Sequence, residues 1–114
     1  MRKLILVISS LTVLSGCYYD VADELYPVAV TCDTTVKGFA ARINPMMTNN
    51  CAIAGCHVTG GQTPDLSNYT DVAANSALIE QRAVITKDMP PTGPLSTCDI
   101  QALQQWIDNG SLNN

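Results

Sequence analysis

The segment Cys51-Ala52-Ile53-Ala54-Gly55-Cys56-His57 gathers two thiols and the chain's single imidazole within seven residues. Four chemistries use such a set. Cys51 and Cys56 could join Cys32 and Cys98 in two structural disulfides, with three pairings open. A structural zinc site would need partners at finger-like spacing, which the sequence lacks. A thioredoxin-like redox pair needs two intervening residues and a βαβ pattern, and neither is present. Covalent haem attachment uses two cysteines with a histidine directly after the second. The sulfurs add across the porphyrin vinyl groups, and the imidazole becomes the proximal iron ligand, its other nitrogen held by an orienting acceptor. The usual spacer between the cysteines is two residues. Here it is four, and Ala52, Ala54 and Gly55 are small enough to let the extra length bulge.

Met89 follows His57 by 32 residues, at the head of the run Met89-Pro90-Pro91-Thr92-Gly93-Pro94. A thioether sulfur can serve as sixth iron ligand, and His/Met ligation raises the reduction potential. Such a weak neutral ligand must be held in place, which a proline-stiffened loop would do. The plainer role for Met89 is core packing; the haem motif favours ligation. Met46 and Met47 are competitors, but they fall on a predicted helix face and read as packing. Arg82 could meet a haem propionate, although a solvated helix position is the plainer reading. Trp106 could touch a haem, yet its helical spacing makes it first a core anchor.

The elements that must position these residues read as helices joined by long loops. A first helix is predicted over about Thr34–Thr48, capped by Asp33 or Thr34, with Val36, Phe39, Ala40, Ile43, Met46 and Met47 on one face. Pro45 predicts a kink there, or two short helical pieces. Gly60, Gly61 and Pro64 mark a loop. A second helix or helix pair is predicted over Asp71–Ile85, with Thr70 as cap and Val72, Leu78, Ile79, Val84 and Ile85 facing inward. The last helix follows a capping-box-like Ser96 and Asp99, repeats Ile100, Leu103, Trp106 and Ile107 on one face, and stops at Asn109-Gly110. No strand alternation stands out beyond a weak signal at Val28–Thr31.

Ahead of these elements, Met1–Gly16 reads as a signal peptide, with Arg2 and Lys3 before an apolar stretch too short to span a bilayer. It ends in Leu14-Ser15-Gly16-Cys17, which resembles the bacterial lipobox, and Cys17 matches the lipidated position. Residues 17–33 then form a lipidated N-terminus and a polar, acidic tether containing Asp20, Asp23 and Glu24, leaving 34–114 as the domain. The expected location is exported and lipid-anchored, at the outer membrane on its periplasmic or surface face.

Of 114 residues, six are basic and ten acidic. Loss of Arg2 and Lys3 with the leader leaves four basic residues, a formal charge of −6 on the mature chain. That balance excludes a nucleic-acid-binding footprint. Only six side chains are aromatic, so a domain this small is short of apolar volume, and a buried cofactor or crosslinks would supply what is missing. In an oxidising compartment the four cysteines other than Cys17 each need a use.

The order of N-terminal helix, Asn50-Cys51…Cys56-His57, Leu66-Ser67-Asn68-Tyr69, Met89-Pro90-Pro91 and Leu95-Ser96 leading to Trp106-Ile107…Gly110 resembles class I cytochrome c. It is similar in particular to short monohaem lipoprotein cytochromes of Bacteroidetes-type bacteria. The likeness covers roughly residues 34–110 and departs from the pattern in its long spacer. It implies an all-α, cytochrome c-like domain of three to four helices around one covalent haem c. It also implies Cys51 and Cys56 as thioether anchors, His57 and Met89 as axial ligands, and first and last helices that cross. Cys32 and Cys98 then remain, each near the start of a predicted terminal helix, and a disulfide between them is expected. The function expected is electron transfer with redox partner proteins, without enzymatic activity, on a membrane-anchored chain. A haem-free lipoprotein stapled by disulfides and a haem sensor or peroxidase with an open iron site stay as alternatives.

Overall fold

The computed structural model describes residues 30–114. The signal peptide, Cys17 and the tether as far as residue 29 lie outside the described residues. Within them the chain is helical, and no strand forms. In chain order the elements are a π-helical segment π1 (Phe39–Ile43), α1 (Asn44–Asn50), α2 (Tyr69–Ala74), α3 (Ser76–Ile79), a second π-helical segment π2 (Glu80–Ile85) and α4 (Thr97–Asp108). No helix among the described residues is long and apolar enough to cross a membrane.

The first helix starts later than expected, at Phe39 rather than Thr34. Asp33 is spent elsewhere: its Oδ1 accepts from the Thr35 backbone N–H at 2.8 Å and the Thr35 hydroxyl at 2.6 Å, closing a local turn. The open N–H groups of π1 are met by the other end of the chain. Phe39 N–H donates to the Asn114 side-chain oxygen at 3.1 Å, and Ala40 N–H to the Asn114 backbone oxygen at 2.9 Å. Pro45 falls in the first turn of α1, where the π-helical bonds of π1 give way to α-helical ones and the missing N–H is accommodated. The two helical pieces anticipated from that proline are π1 and α1.

The second helical region is three short pieces, and its cap is Asn68 rather than Thr70. The Asn68 side chain accepts from Asp71 N–H at 3.0 Å, the stronger N-cap chemistry of the two residues. Val72 and Ile79 are buried as expected, joined by Ala83, whereas Leu78 and Ile85 are exposed. The π-helical register of π2 rotates the face away from an ideal helical repeat, which puts Ile85 outside. Leu78 is exposed because it borders a cavity.

α4 follows its sequence closely. Ser96 Oγ accepts from Asp99 N–H at 3.1 Å and donates to the Asp99 carboxylate at 2.8 Å, an N-terminal box with Asp in place of Glu. At the far end Ser111 N–H reaches Trp106 O at 3.0 Å and Gly110 N–H reaches Ile107 O at 2.9 Å, the Schellman pair.

The core is built where π1, α1 and α4 meet the second helical region. Ile43, Met47, Val72 and Leu103 are its fully enclosed side chains. Phe39 stands edge-on to Tyr69 with centroids 5.0 Å apart and lies 5.8 Å from Trp106, so an aromatic cluster joins the first, second and last helical regions. The Tyr69 hydroxyl donates to Ser111 O at 3.0 Å and Trp106 Nε1–H to Leu112 O at 2.9 Å, which satisfies both polar tips. First and last helical regions are further tied by the Arg42–Asp99 ion pair at 2.6 Å. They are also tied by the disulfide Cys32–Cys98, with Cα atoms 5.3 Å apart.

Candidate functional site

Between α1 and α2 the chain has no regular structure, yet its backbone is closely bonded. Cys56 N–H donates to Ile53 O at 2.9 Å, a tight turn inside the spacer, and His57 N–H returns to Cys51 O at 3.1 Å. The four spacer residues therefore bulge outward while both ends of the motif stay together, and Ile53, Ala54 and Gly55 are exposed. Gly55 turns the chain with φ +80, a backbone conformation that side chains other than glycine rarely adopt. The following loop folds back on the motif: Gln62 N–H donates to Cys56 O at 2.7 Å and Leu66 N–H to His57 O at 2.8 Å. Gly61 lies so close that a Cβ there would collide with the Cys56 carbonyl oxygen.

This folding-back sets the imidazole. His57 Nδ1 lies 2.7 Å from the Pro64 carbonyl oxygen. A carbonyl only accepts, so the neutral ring must carry its proton on Nδ1, and Nε2 presents a lone pair. Among the described residues Nε2 has no hydrogen-bond partner. An imidazole oriented through one nitrogen and unpartnered at the other is arranged as an iron ligand is. Nearby, Asp65 braces the loop by accepting from Ser67 N–H at 2.9 Å and the Thr59 hydroxyl at 2.6 Å. The Ser67 bonds, and then the Thr59 bond, hold its carboxyl below the usual range.

Cys51, Cys56, His57 and Met89 all line one cavity of about 310 Å³. Its walls are otherwise largely apolar: Pro64 and Leu66 come from the loop, Leu78, Ile79 and Ala83 from α3 and π2, and Pro90 and Pro91 from the stiff loop. The sequence-selected residues are thus brought to a common space although 38 positions separate the first from the last. Both thiols are free, so the described residues hold the single disulfide Cys32–Cys98 and not the two that a fully stapled domain would have. Burial, and to a smaller extent the neighbouring Cys56, push the Cys51 thiol up to about 11.

Among the described residues no three His, Cys, Asp or Glu side chains gather as ligands of a single metal ion. Tetrahedral zinc requires such a focus. Haem makes a different demand, for sulfurs at the ring edge and axial donors at the centre, inside a largely apolar pocket. The donor set fits that group: two thiols for the vinyl positions, an imidazole with a free Nε2, a thioether, and apolar walls.

Met46 and Met47 are buried in the core and absent from this cavity's lining, as their helix-face spacing suggested. Trp106 is likewise a core residue. Arg82 lines the cavity, but its guanidinium is bound to Asp88, with Nε 2.8 and 2.9 Å from the two carboxylate oxygens. Asp88 was not singled out from sequence, where an aspartate next to a Met-Pro-Pro loop carries no distinguishing pattern. Bonds from Arg82 and then Thr86 hold its carboxyl below the ordinary range.

A second cavity, of about 350 Å³, adjoins the Cys32–Cys98 bridge and shares no lining residue with the first. It contains no free thiol, imidazole or thioether, and its Arg42 is already paired with Asp99.

Compared with protein families, curated proteins and solved structures, the chain matches none. The functional reading therefore stands on the residues of this cavity and on the sequence pattern that selected them.

Proposed function

We propose that this chain is a c-type cytochrome that carries one covalent haem and transfers single electrons. The observation that carries the reading is the common cavity of Cys51, Cys56, His57 and Met89, with His57 Nδ1 engaged by Pro64 O and Nε2 left open. Cys51 and Cys56 would hold the group by thioether bonds, and His57 and Met89 would be its axial ligands. When bound, haem supplies a one-electron ferric–ferrous couple. The chain's own contribution is positional: the Pro64 carbonyl fixes the imidazole's tautomer and plane, and the bulged spacer keeps both sulfurs on the cavity wall. Leu66, Ile79 and Ala83, buried on the cavity wall, would exclude water from a bound haem, which together with a thioether donor would favour its ferrous state. With His57 and Met89 both holding the group, no position would remain for a substrate, which favours a carrier without enzymatic activity.

The leader and lipobox-like Cys17 support a membrane-anchored carrier. A tether there would raise the effective concentration of the domain near membrane-bound redox partners.

The test is an absorption spectrum of protein made in a host that matures c-type cytochromes, with a pyridine haemochrome assay of the thioether number. A red protein with two thioethers and no carbon monoxide binding in the ferrous form is expected. A colourless, iron-free product would overturn the reading. Rapid carbon monoxide binding would instead favour a sensor or peroxidase with an open iron position.

A further inference from the structure

Met89 is presented by a loop whose bonds converge on Arg82, itself part of the cavity lining. Resting on the haem reading above, we propose that the Arg82–Asp88 ion pair, with Thr86, is a clasp that positions Met89 as the axial ligand. Arg82 closes this loop twice. Its backbone carbonyl, within π2, accepts from Asp88 N–H at 3.1 Å and from Met89 N–H at 3.2 Å. Its side chain meets the Asp88 carboxylate in a forked contact, Nε at 2.9 and 2.8 Å and Nη2 at 2.8 Å. Thr86 completes the loop: its hydroxyl lies 2.7 Å from Asp88 Oδ1 and 2.9 Å from Gln81 O, its single proton shared between these two acceptors. The chain turns sharply between them, at Lys87 with φ 54.

Met89 therefore leaves π2 through a closed loop, anchored by its own N–H and by the side chain immediately before it. The anchoring element carries Ala83 into the same cavity wall, so loop and wall are one unit. This matters for a thioether because sulfur is a weak neutral donor, displaced readily by nitrogen ligands when it is free to swing away. The apparent affinity of a competing ligand scales with the fraction of protein in which the sulfur is detached. Arg82 and Asp88 do not touch the ligand atom. They are positioning residues, and their effect must show in ligand exchange rather than in haem attachment.

The experiment titrates ferric holoprotein with imidazole, following the sulfur-to-iron charge-transfer band. Asp88→Asn and Arg82→Gln are each expected to tighten apparent imidazole binding by up to about fivefold, the upper end for a solvent-accessible ion pair. The double variant should go no further than either single one, because both remove the same contact. Thr86→Val should move binding in the same direction by a smaller factor. Asp33→Asn, a charge-matched change away from the loop, should leave it unaltered, and thioether number should be constant throughout. Wild-type protein that shows the sulfur band while Asp88→Asn and Arg82→Gln bind imidazole like Asp33→Asn would overturn the clasp and leave the haem reading intact. So would an effect of Arg82→Gln alone, which would assign Arg82 to a haem propionate. Absence of the sulfur band from the wild-type protein would overturn Met89 ligation, and the clasp with it.

Discussion

Opening the Cys32–Cys98 bridge should weaken the fold without altering the proposed haem site. The bridge closes a loop of 66 positions and fastens the segment before π1 to the first turn of α4. In the chain-entropy account, a crosslink of that span stabilises by about 4 kcal/mol, chiefly by restricting the unfolded chain. The fastened segment makes few other contacts: Asp33 bonds only to Thr35, and residues 33–37 are exposed. Once released it can fray and regain entropy in the native state, so 4 kcal/mol is an upper bound and about 2 kcal/mol a reasonable floor. For roughly 85 folded residues the unfolding entropy is about 0.18 kcal/mol per kelvin, which converts this range into a Tm decrease of about 11–22 °C. The assay is thermal unfolding of matured Cys32→Ser/Cys98→Ser protein against wild type, followed by far-UV circular dichroism. Because the cavity by the bridge and the cavity of Cys51 share no lining residue, haem absorption of the unheated variant should match wild type. A decrease of less than about 3 °C would refute the entropy argument, and a changed spectrum in the folded variant would refute the separation of the two regions.

Replacing Met89 by Ala should lower the reduction potential by on the order of 100 mV and open the ferrous protein to carbon monoxide. An unchanged potential and spectrum would remove Met89 from the ligand set. In haem-free protein, Cys51 should be a sluggish nucleophile at pH 8. Raising its pKa from 9.0 to about 11 leaves about a hundredfold less thiolate, partly offset by the greater nucleophilicity of the more basic sulfur, for a net slowing of about tenfold. Iodoacetamide labelling read by peptide mass would check this, and Cys51 labelling as fast as a short reference peptide would contradict it. The same shift has a stability counterpart. A thiol whose pKa is higher in the fold keeps its proton there, so its contribution is complete below pH 9 and disappears as pH rises through about 11. The stability of the parent haem-free protein should therefore fall relative to Cys51→Ser over that interval, and parallel alkaline unfolding curves for the two would contradict the shift.

What could be read from the sequence was mostly local. The thiol–imidazole motif is contiguous. The Ser96–Asp99 cap and the Asn109-Gly110 stop belong to single turns, and their bonds form within α4 itself. Pro45 marked the division of the first helical region because a missing N–H acts on its own turn. The Cys32–Cys98 pairing, though distant, followed once Cys51 and Cys56 had a separate use. Local rules misled where two of them competed. Asp33 and Thr34 could both cap a helix, but Asp33 turned onto Thr35, and the helix began five residues later with Asn114 meeting its first N–H groups. Thr70 and Asn68 could both cap α2, and the amide won.

The sequence by itself determined the reactive set and its order along the chain: two cysteines, the adjoining histidine, a methionine on a proline-stiffened loop, and helices on either side. Tertiary structure alone decided that these share a cavity and that Pro64 assigns the His57 proton to Nδ1. It also decided that Asp88 guards the loop through Arg82. The physical reason is range. Caps, turns and breaker residues act across one helical turn, whereas a common cavity depends on how Val72, Ile79 and Ala83 pack against Met47 and Leu103 from remote parts of the chain.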